Sequence, residues 1–476
     1  MAIFEIMTAS DINLALLSQF NFEPTKDQFH FFKLFSDFMI EKEGEVLILK
    51  GYAGTGKTTL TKSIVKTLRK TQFNVILLAP TGRAAKVLGN YSGKKAFTIH
   101  SHIYHVRNGG NGTEFVLKKN KFKNTLFIVD EASMISNQAI NSKGMSGGVL
   151  IDDLFQYIFQ PNSKNKILFI GDIAQLPPVH LEISPALDQN YLNFNYCKNV
   201  EEYNLTKVVR QDIDSTIVKN ATRIREFISE QINDLQLDTS SIDFERITDR
   251  YEVETALADN LTQNLDETLI VVRSNKRANL YNEQIRERIL LRDGIIERGD
   301  KLMVLKNNYF WLEETSKPGF IANGEVIEIE KVRRIVDLYG FQFAEVMISL
   351  PDYPEEPSFE TVLLLDTIKA ETSGLTYEQS GELFTKVMED YEDETTKYKK
   401  FKKVKENPYF NALQVKYAYA VTCHKAQGGQ WDHVFVEQPY TEKIDKNYLR
   451  WIYTAFTRAK KKIYLLGFKE DYFIKK

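Results

Sequence analysis

The stretch that decides the fold of this chain is Gly51-Tyr52-Ala53-Gly54-Thr55-Gly56-Lys57-Thr58, which fits the pattern G-x-x-x-x-G-K-[ST] at every fixed position. An apolar run, residues 46–49, precedes it, and residues 59–65 follow it with helical spacing. A glycine-rich turn between a strand and a helix lets backbone N–H groups face a phosphate, and the helix N-terminus adds a partial positive charge. An ordinary glycine-rich connection is the alternative, and the Lys-Thr pair argues against it.

The stretch predicts a nucleotide site with a separate task for each residue. Lys57 would reach the β- and γ-phosphates, and the Thr58 hydroxyl would ligate Mg²⁺. The predicted nucleotide-binding residues of the loop are Gly54, Thr55, Gly56, Lys57, Thr58 and Thr59.

Composition limits the class of protein. The chain has 476 residues, 43% hydrophobic and 26% charged, which predicts two to four globular domains. Its net charge is −2, so a polyanion would have to meet local basic patches. Cys197 and Cys423 lie far apart, residues 1–19 contain no Lys or Arg, and no apolar run is long enough to span a membrane. These features predict a cytoplasmic protein.

Residues 50–235 alternate apolar runs with helical segments, which predicts a parallel sheet covered on both faces. Three further runs, residues 74–79, 126–129 and 167–170, end at Pro80, Asp130 and Gly171. Ligands bind at the carboxyl ends of such strands. An aspartate there can hold Mg²⁺ and the next glutamate can activate water, so Asp130-Glu131 is a catalytic candidate rather than a surface acidic pair. Gln175 could sense the γ-phosphate.

Several segments allow two interpretations. Gln28 follows Pro24, which we place just inside a helix start, and its amide suits an adenine edge, although a capped amphipathic helix explains the neighbouring phenylalanines. Residues 105–117 predict a β-hairpin with a glycine-rich tip at 108–112, which is either a protruding pin beside a nucleic-acid strand or a solvated basic loop. Residues 137–148 are polar and rich in glycine and serine, which predicts a mobile loop.

A second strand–helix half begins near Leu269 and is interrupted by a β-rich and then highly charged segment. The basic run at 397–405 is either a solvated helical face or a contact to a phosphate backbone. Further predicted strands cover residues 417–421, 434–436 and 463–466. His424-Lys425 follows the first of them, and we interpret it as a donor-rich loop against phosphate rather than a metal site, because no ligand cluster with metal spacing surrounds it.

The ordered set of motifs resembles superfamily 1 helicases of the RecD-like and phage Dda-like branch, which includes the Pif helicases. The matching segments are Phe22-x-Pro24-Thr25-x-x-Gln28, residues 51–58, residues 79–86, residues 98–101, residues 129–134, Gly171-Asp172-x-x-Gln175, Val209-Arg210-Gln211, His424-Lys425-x-Gln427-Gly428 and residues 453–459. One departure is Gln430, where the branch usually has an acidic residue near the nucleotide sugar.

The resemblance implies an α/β fold of two RecA-like P-loop NTPase motor domains. The first would carry a β-hairpin insert and the second an SH3-like β-barrel insert. The expected boundaries are 1–45 for a helical lead-in with the Q motif, 46–235 for motor domain 1 with the pin at 103–124, 260–298 and 411–476 for motor domain 2, and 299–410 for the inserted domain.

The resemblance also implies the site residues. Lys57, Asp130, Glu131 and Gln175 would be catalytic together with two arginine fingers, Arg210 and Arg458. Gln28 and Gln430 would join the loop in binding ATP, and Thr58 and Asp130 would hold Mg²⁺. The implied DNA contacts are Pro80, Thr81, Arg83, Thr98, His100, Asn275, Thr422, His424 and Lys425.

The activity implied is ATP-dependent 5′→3′ movement on single-stranded DNA, with unwinding at single-strand/duplex junctions. The low net charge and the lack of coiled-coil heptads predict a monomer. Neither spacing nor composition indicates the direction. Two other functions stay open: an RNA-directed helicase, and a DNA-stimulated ATPase that binds or translocates without unwinding.

Overall fold

The computed structural model describes residues 8–41, 45–71, 73–109, 112–142, 145–161, 163–196, 198–209, 215–313, 316 and 318–474. For residues 106–109, 112–115, 139–142 and 145–147 only the backbone is described. The chain divides into two compact units, one ending at Val218 and the other beginning at Lys219. Among the described residues, none of the helices has the length and apolar character needed to cross a membrane.

The first unit is a parallel α/β unit. Its helices are α1 (Ala9–Gln19), α2 (Lys26–Ile40), α3 (Lys57–Leu68), α4 (Gly82–Ser92), α5 (Ile99–Ile103), α6 (Leu150–Ile158) and α7 (Gln189–Tyr196). Its strands are β1 (Val46–Gly51), β2 (Asn74–Ala79), β3 (Ala96–Thr98), β4 (Tyr104–Gly109), β5 (Gly112–Leu117), β6 (Thr125–Val129), β7 (Ala139–Ser142), β8 (Met145–Val149), β9 (Lys166–Gly171) and β10 (Val200–Leu205).

The main sheet of this unit has the order β10-β1-β9-β6-β2-β3, and the strands are parallel. Successive side chains of β1 point to opposite faces. Leu47 and Leu49 pack with α1–α4, whereas Val46 and Ile48 pack with α5–α7. Both faces are therefore covered, as the apolar runs predicted.

The second unit contains a parallel sheet and a barrel. Its helices are α8 (Thr216–Glu230, which begins at the end of the first unit), α9 (Arg250–Gln263), α10 (Asn275–Gln284), α11 (Tyr377–Glu389), α12 (Lys397–Glu406), α13 (Cys423–Ala426) and α14 (Lys446–Phe456). Its strands are β11 (Phe244–Ile247), β12 (Thr268–Val272), β13 (Lys301–Val304), β14 (Val326–Leu338), β15 (Phe341–Ser349), β16 (Phe359–Leu364), β17 (Leu413–Tyr417), β18 (Ala420–Thr422), β19 (Trp431–Glu437) and β20 (Ala459–Leu466).

Strands β11-β20-β19-β12-β18 form the parallel sheet, and β13–β17 close into a barrel. The α/β fold with two RecA-like domains and a barrel in the second half is thereby confirmed. The prediction of one strand over residues 417–421 is wrong. Tyr417 pairs with Leu302 in the barrel, while Ala420 pairs with Ile270 in the sheet, so the chain crosses from barrel to sheet between them.

The barrel therefore reaches Tyr417, beyond the predicted insert boundary at residue 410. The other predicted boundaries stay predictions. Residues 137–148 were expected to be a loop, but β7 and β8 pair as an antiparallel hairpin, because backbone pairing there does not need an apolar pattern. Residues 143 and 144 lie outside the described residues. Helix α2 begins after Pro24, at Lys26, and Thr25 caps it.

A buried carboxylate joins the sheet of the second unit to its barrel. Asp300 has no exposed surface and accepts hydrogen bonds from Arg286 Nε (3.0 Å) and Nη2 (2.9 Å), from Arg292 Nη1 (2.8 Å) and from the Tyr419 hydroxyl (3.0 Å). Arg286 lies in the π-helical turn Ile285–Ile289 that continues α10. Because burying a charge is costly, this network stabilises the unit only while every partner is present.

Asp300→Ala should lower the free energy of unfolding of the second unit by about 3–5 kcal/mol, since it leaves two arginines without their buried carboxylate. The three tryptophans, Trp311, Trp431 and Trp451, all lie in this unit, so tryptophan fluorescence in denaturant reports its unfolding. Glu406→Gln, which breaks an exposed pair with Lys402, is the control and should cost less than about 1 kcal/mol. Equal small losses in both variants would contradict a stabilising role for the network.

Candidate nucleotide and nucleic-acid sites

The phosphate loop joins β1 to α3 and has the backbone shape that its glycines allow. Gly54 has φ +80° and Gly56 has φ +90°, a region that side chains rarely adopt. A Cβ at Gly56 would lie 2.6 Å from Gln28 Nε2 and 3.4 Å from Val209 Cγ2. Lys57 Nζ donates to the carbonyls of Gly51 (2.6 Å) and Tyr52 (2.8 Å). The lysine thus lies over the loop at the start of α3.

Two neighbouring segments hold the loop in place. Val209 N–H donates to the Gly54 carbonyl at 2.8 Å, and Gln28 Nε2 donates to the Thr55 carbonyl at 3.0 Å. Gln28 is 2% exposed, and its Oε1 accepts from the Thr25 N–H at 3.0 Å, which completes a capping box at the start of α2. Sequence reasoning selected Gln28 for an adenine contact and missed that both its amide atoms already have partners in the protein.

The acidic pair lies close to the loop. In the sheet β9 lies between β1 and β6, so Asp130 follows β6 two strands from the loop. Asp130 Oδ1 accepts from the Glu131 N–H (2.9 Å), and Oδ2 accepts from the Tyr91 hydroxyl (2.9 Å). Burial raises the pKa of Asp130, and these hydrogen bonds and the charge of Lys57 oppose the rise. Glu131 has φ +52°, a strained conformation for a glutamate.

Gln175 lies beyond the end of β9, the strand between β1 and β6. It follows β9, is 5% exposed, and its Oε1 accepts no hydrogen bond from any described residue. A buried acceptor without a partner is costly, so it suits a water or ligand donor. The sheet therefore brings Lys57, Gln175 and Asp130 to the carboxyl ends of three adjacent strands.

Thr58 is exposed on the first turn of α3, and Thr59 beside it is half-buried. Tyr91 donates to Asp130, and the Thr58 side chain lies beside the Tyr91 hydroxyl, so the two predicted Mg²⁺ ligands lie close together. A hydroxyl and a carboxylate are hard oxygen donors of the kind that Mg²⁺ prefers. The donor set fits the predicted metal. Sequence reasoning missed Tyr91, because a tyrosine in a helix carries no motif signal.

The structure describes the surroundings of one predicted arginine finger, Arg458. Arg210 lies outside the described residues, directly after Val209. Arg458 is 3% exposed and donates to the Thr454 carbonyl (3.0 Å), the Gly429 carbonyl (3.1 Å) and Thr457 Oγ1 (3.0 Å). These bonds tie α14 to the loop that ends in Gln430, whose side chain is exposed. The finger roles and the nucleotide contact of Gln430 stay predictions.

The predicted DNA contacts of the first unit lie at or just beyond the ends of two adjacent strands, β2 and β3. Ala79 at the end of β2 is paired with Thr98 at the end of β3, so Pro80-Thr81 and Thr98 emerge side by side. Thr81 and Thr98 cap α4 and α5 by accepting from Ala84 N–H (3.2 Å) and Ser101 N–H (3.1 Å). Arg83 in α4 is half-buried and keeps contacts within the protein. Burial lowers the pKa of His100 to about 4, so its ring is neutral at physiological pH.

The second unit repeats this arrangement. Val272 at the end of β12 is paired with Thr422 at the end of β18. Asn275 begins α10 just beyond Val272, and its Nδ2 donates to the Glu371 carbonyl at 3.0 Å. Thr422 precedes α13, which carries His424 and Lys425. Burial lowers the pKa of both, and Lys425 Nζ donates to Asn323 Oδ1 at 2.7 Å, next to the barrel strand β14.

The predicted hairpin is formed by β4 and β5, which pair from Tyr104↔Leu117 to Gly109↔Gly112. The hairpin follows α5 without a connecting loop. Lys118, directly after β5, donates from Nζ to the Ser101 carbonyl in α5 at 2.7 Å and so holds the base of the hairpin. Residues 110 and 111 at the tip lie outside the described residues.

Fold and loop together define a P-loop NTPase with two RecA-like domains. Comparison with family models agrees: an AAA domain matches residues 37–238, and a UvrD-like helicase C-terminal domain matches residues 417–466. Among curated proteins, the chain is 26% identical over 468 residues to the ATP-dependent DNA helicase dda of Enterobacteria phage T4, covering 92% of this chain and 97% of that protein.

A second relative is the ATP-dependent DNA helicase PIF1 of Saccharomyces cerevisiae, 25% identical over 344 residues, with 67% of this chain and 37% of that protein covered. Among solved structures, the Pif1 helicase from Bacteroides in complex with ADP-AlF3 and ssDNA is 16% identical, has a TM-score of 0.44, and covers 96% of this chain and 95% of that chain. The curated relatives confirm the resemblance to superfamily 1 helicases of the Dda- and Pif1-like group that the motifs indicated.

Gln28→Ala should weaken ATP and GTP binding by a similar factor, about three- to tenfold, because it removes the support of the loop carbonyl, worth ~1 kcal/mol. Fluorescence titration with labelled ATP and GTP measures both affinities. Gln379→Ala is the matched control, since Gln379 occupies the same capping-box position in α11, far along the chain from the loop, and should leave both unchanged. A loss confined to ATP would instead support the predicted adenine contact.

Proposed function

We propose that this protein is an ATP-dependent DNA helicase that moves 5′→3′ along single-stranded DNA and separates duplex DNA. The observation that carries the proposal is the phosphate loop with Lys57, Gln175 and Asp130 on adjacent strand ends, in a chain where both units also place predicted DNA contacts at paired strand ends. The relative that aligns along nearly its whole length is named a DNA helicase, which supports this substrate.

The residues around the phosphate loop would each have a separate role in ATP hydrolysis. Lys57 would exchange its two carbonyl partners for phosphate oxygens, and the backbone of residues 54–59 would surround the phosphates. Thr58 and Asp130 would hold Mg²⁺, which neutralises charge developing on the phosphates. Glu131 would take the proton of the attacking water, and Gln175 Oε1 would orient that water.

The predicted DNA contacts share one kind of chemistry. Helices α4 and α10 begin at Gly82 and Asn275 with their N-termini at strand ends, where backbone N–H groups and the helix dipole favour phosphate. His100 would act as a neutral ring that stacks on a base or donates one hydrogen bond. These groups would contact the phosphates of the nucleic acid and the faces of its bases. Such contacts are the same for every base sequence, so they favour a single strand without sequence preference.

Two other functions make different predictions. An RNA-directed helicase would be stimulated more by RNA than by DNA of the same sequence. A DNA-stimulated ATPase would hydrolyse ATP without opening a duplex. A cytoplasmic monomer is part of the proposal and rests on the sequence, and light scattering of the full chain with and without DNA tests the oligomeric state.

Unwinding of two labelled duplexes, one with a 5′ and one with a 3′ single-stranded tail, tests the proposal in the presence of ATP and Mg²⁺. We expect only the 5′-tailed duplex to open. Lys57→Ala should lower hydrolysis by a factor on the order of 10²–10³ or more, since the transferring phosphate loses a cation. Lys66→Ala, on the same helix but more than two turns away, should keep wild-type activity. Opening of the 3′-tailed duplex alone would overturn the direction.

The hairpin β4–β5 is the predicted strand-separating pin. Replacing residues 108–113 by Asn-Gly keeps the Arg107↔Glu114 pair as the base of a two-residue turn. This shorter hairpin should retain hydrolysis stimulated by single-stranded DNA and lose most duplex unwinding. Equal losses in the two assays would contradict the pin, because they would indicate damage to the motor.

A further inference from the structure

Tyr91 lies on the last turn of α4 and connects two residues that come from different parts of the sequence. Its hydroxyl donates to Asp130 Oδ2 at 2.9 Å, and the Thr58 side chain lies beside it. Its ring packs at the edge of the core formed by α1–α4 and the sheet. The hydroxyl is therefore fixed between the end of β6 and the first turn of α3.

The hydrogen bonds around Asp130 hold its carboxylate at both oxygens, since Oδ1 accepts from the Glu131 N–H and Oδ2 from Tyr91. The Tyr91 hydroxyl gives its only proton to this carboxylate. Asp130 is thereby oriented before any ligand arrives.

We propose that Tyr91 is a positioning residue of the magnesium site: its hydroxyl fixes Asp130, beside Thr58, in the orientation in which this carboxylate accepts the nucleotide-bound Mg²⁺. The inference rests on the proposed function, which makes Thr58 and Asp130 the ligands of the metal. Hydrogen-bonding partners outside the ligand shell orient the ligands, and their loss typically costs 10–100-fold in metal affinity. Tyr91 does not contact the nucleotide in this account, so its effect should be confined to the metal.

The test is a Mg²⁺ titration of methylanthraniloyl-ADP binding to the full chain, followed by fluorescence, with Mn²⁺ electron paramagnetic resonance as a second readout. In the wild type, Mg²⁺ should tighten ADP binding. Tyr91→Phe removes one oxygen and should raise the Mg²⁺ concentration at half-effect about tenfold or more. Its ADP affinity without Mg²⁺ should equal that of the wild type.

Tyr104→Phe is the matched control. Tyr104 is also buried in the first unit, and its hydroxyl donates to Asp153 Oδ2 at 2.6 Å, so this variant loses a similar tyrosine–aspartate bond away from the loop. It should leave the Mg²⁺ titration unchanged. A wild-type Mg²⁺ response in Tyr91→Phe would overturn the role of Tyr91 and leave the proposed function intact. Absence of any Mg²⁺ effect in the wild type would overturn the metal assignment and the inference with it.

Discussion

The shape of the phosphate loop is the constraint on which the rest of the first unit depends. Two residues, Gly54 and Gly56, have the left-handed backbone that turns N–H groups toward one point, and such a turn is costly unless neighbours support it. Support comes from Val209 N–H on Gly54 and from Gln28 Nε2 on Thr55. Because the Gly56 position leaves no room for a Cβ beside Gln28, the glycine and the glutamine depend on each other.

The parallel sheets explain why residues that are distant in sequence come together. Each strand of such a sheet ends at the same edge, so a polar residue after any strand reaches that edge. In the first unit, β1, β9 and β6 supply the loop, Gln175 and Asp130, while β2 and β3 supply the predicted DNA contacts. Helix α4 joins the two sets, because Thr81 caps its start and Tyr91 in its last turn contacts Asp130.

Much of the fold could be predicted from local patterns. The strands before Pro80, Asp130 and Gly171 are short apolar runs that are buried on both faces, and each of them is present. The closing strand of the barrel could not be predicted, since Tyr417 continues an apolar run into Ala420 and only the pairing partners Leu302 and Ile270 separate the two strands. The hairpin β7–β8 is set by backbone pairing, which leaves no periodic signal.

The sequence indicated the charged residues and the glycines of the candidate site, but not the residues whose hydrogen bonds hold them in position. Lys57, Asp130 and Glu131 belong to patterns that only one kind of chemistry needs. Tyr91 and Val209 act through a single hydroxyl and a single backbone N–H, and their sequence positions give no indication of these contacts. Gln28 was selected for a ligand, whereas its amide also holds the loop and caps α2.

The most direct test of this account is hydrogen–deuterium exchange of the full chain with and without ADP and Mg²⁺. Bound nucleotide should slow exchange in residues 51–59, in the start of α2 around Gln28 and in residues 206–209, because these segments form or hold the loop. Exchange in the barrel strands β14 and β15 should stay unchanged. Protection of the barrel with no change in residues 51–59 would contradict the account, since the nucleotide would then bind somewhere other than the loop.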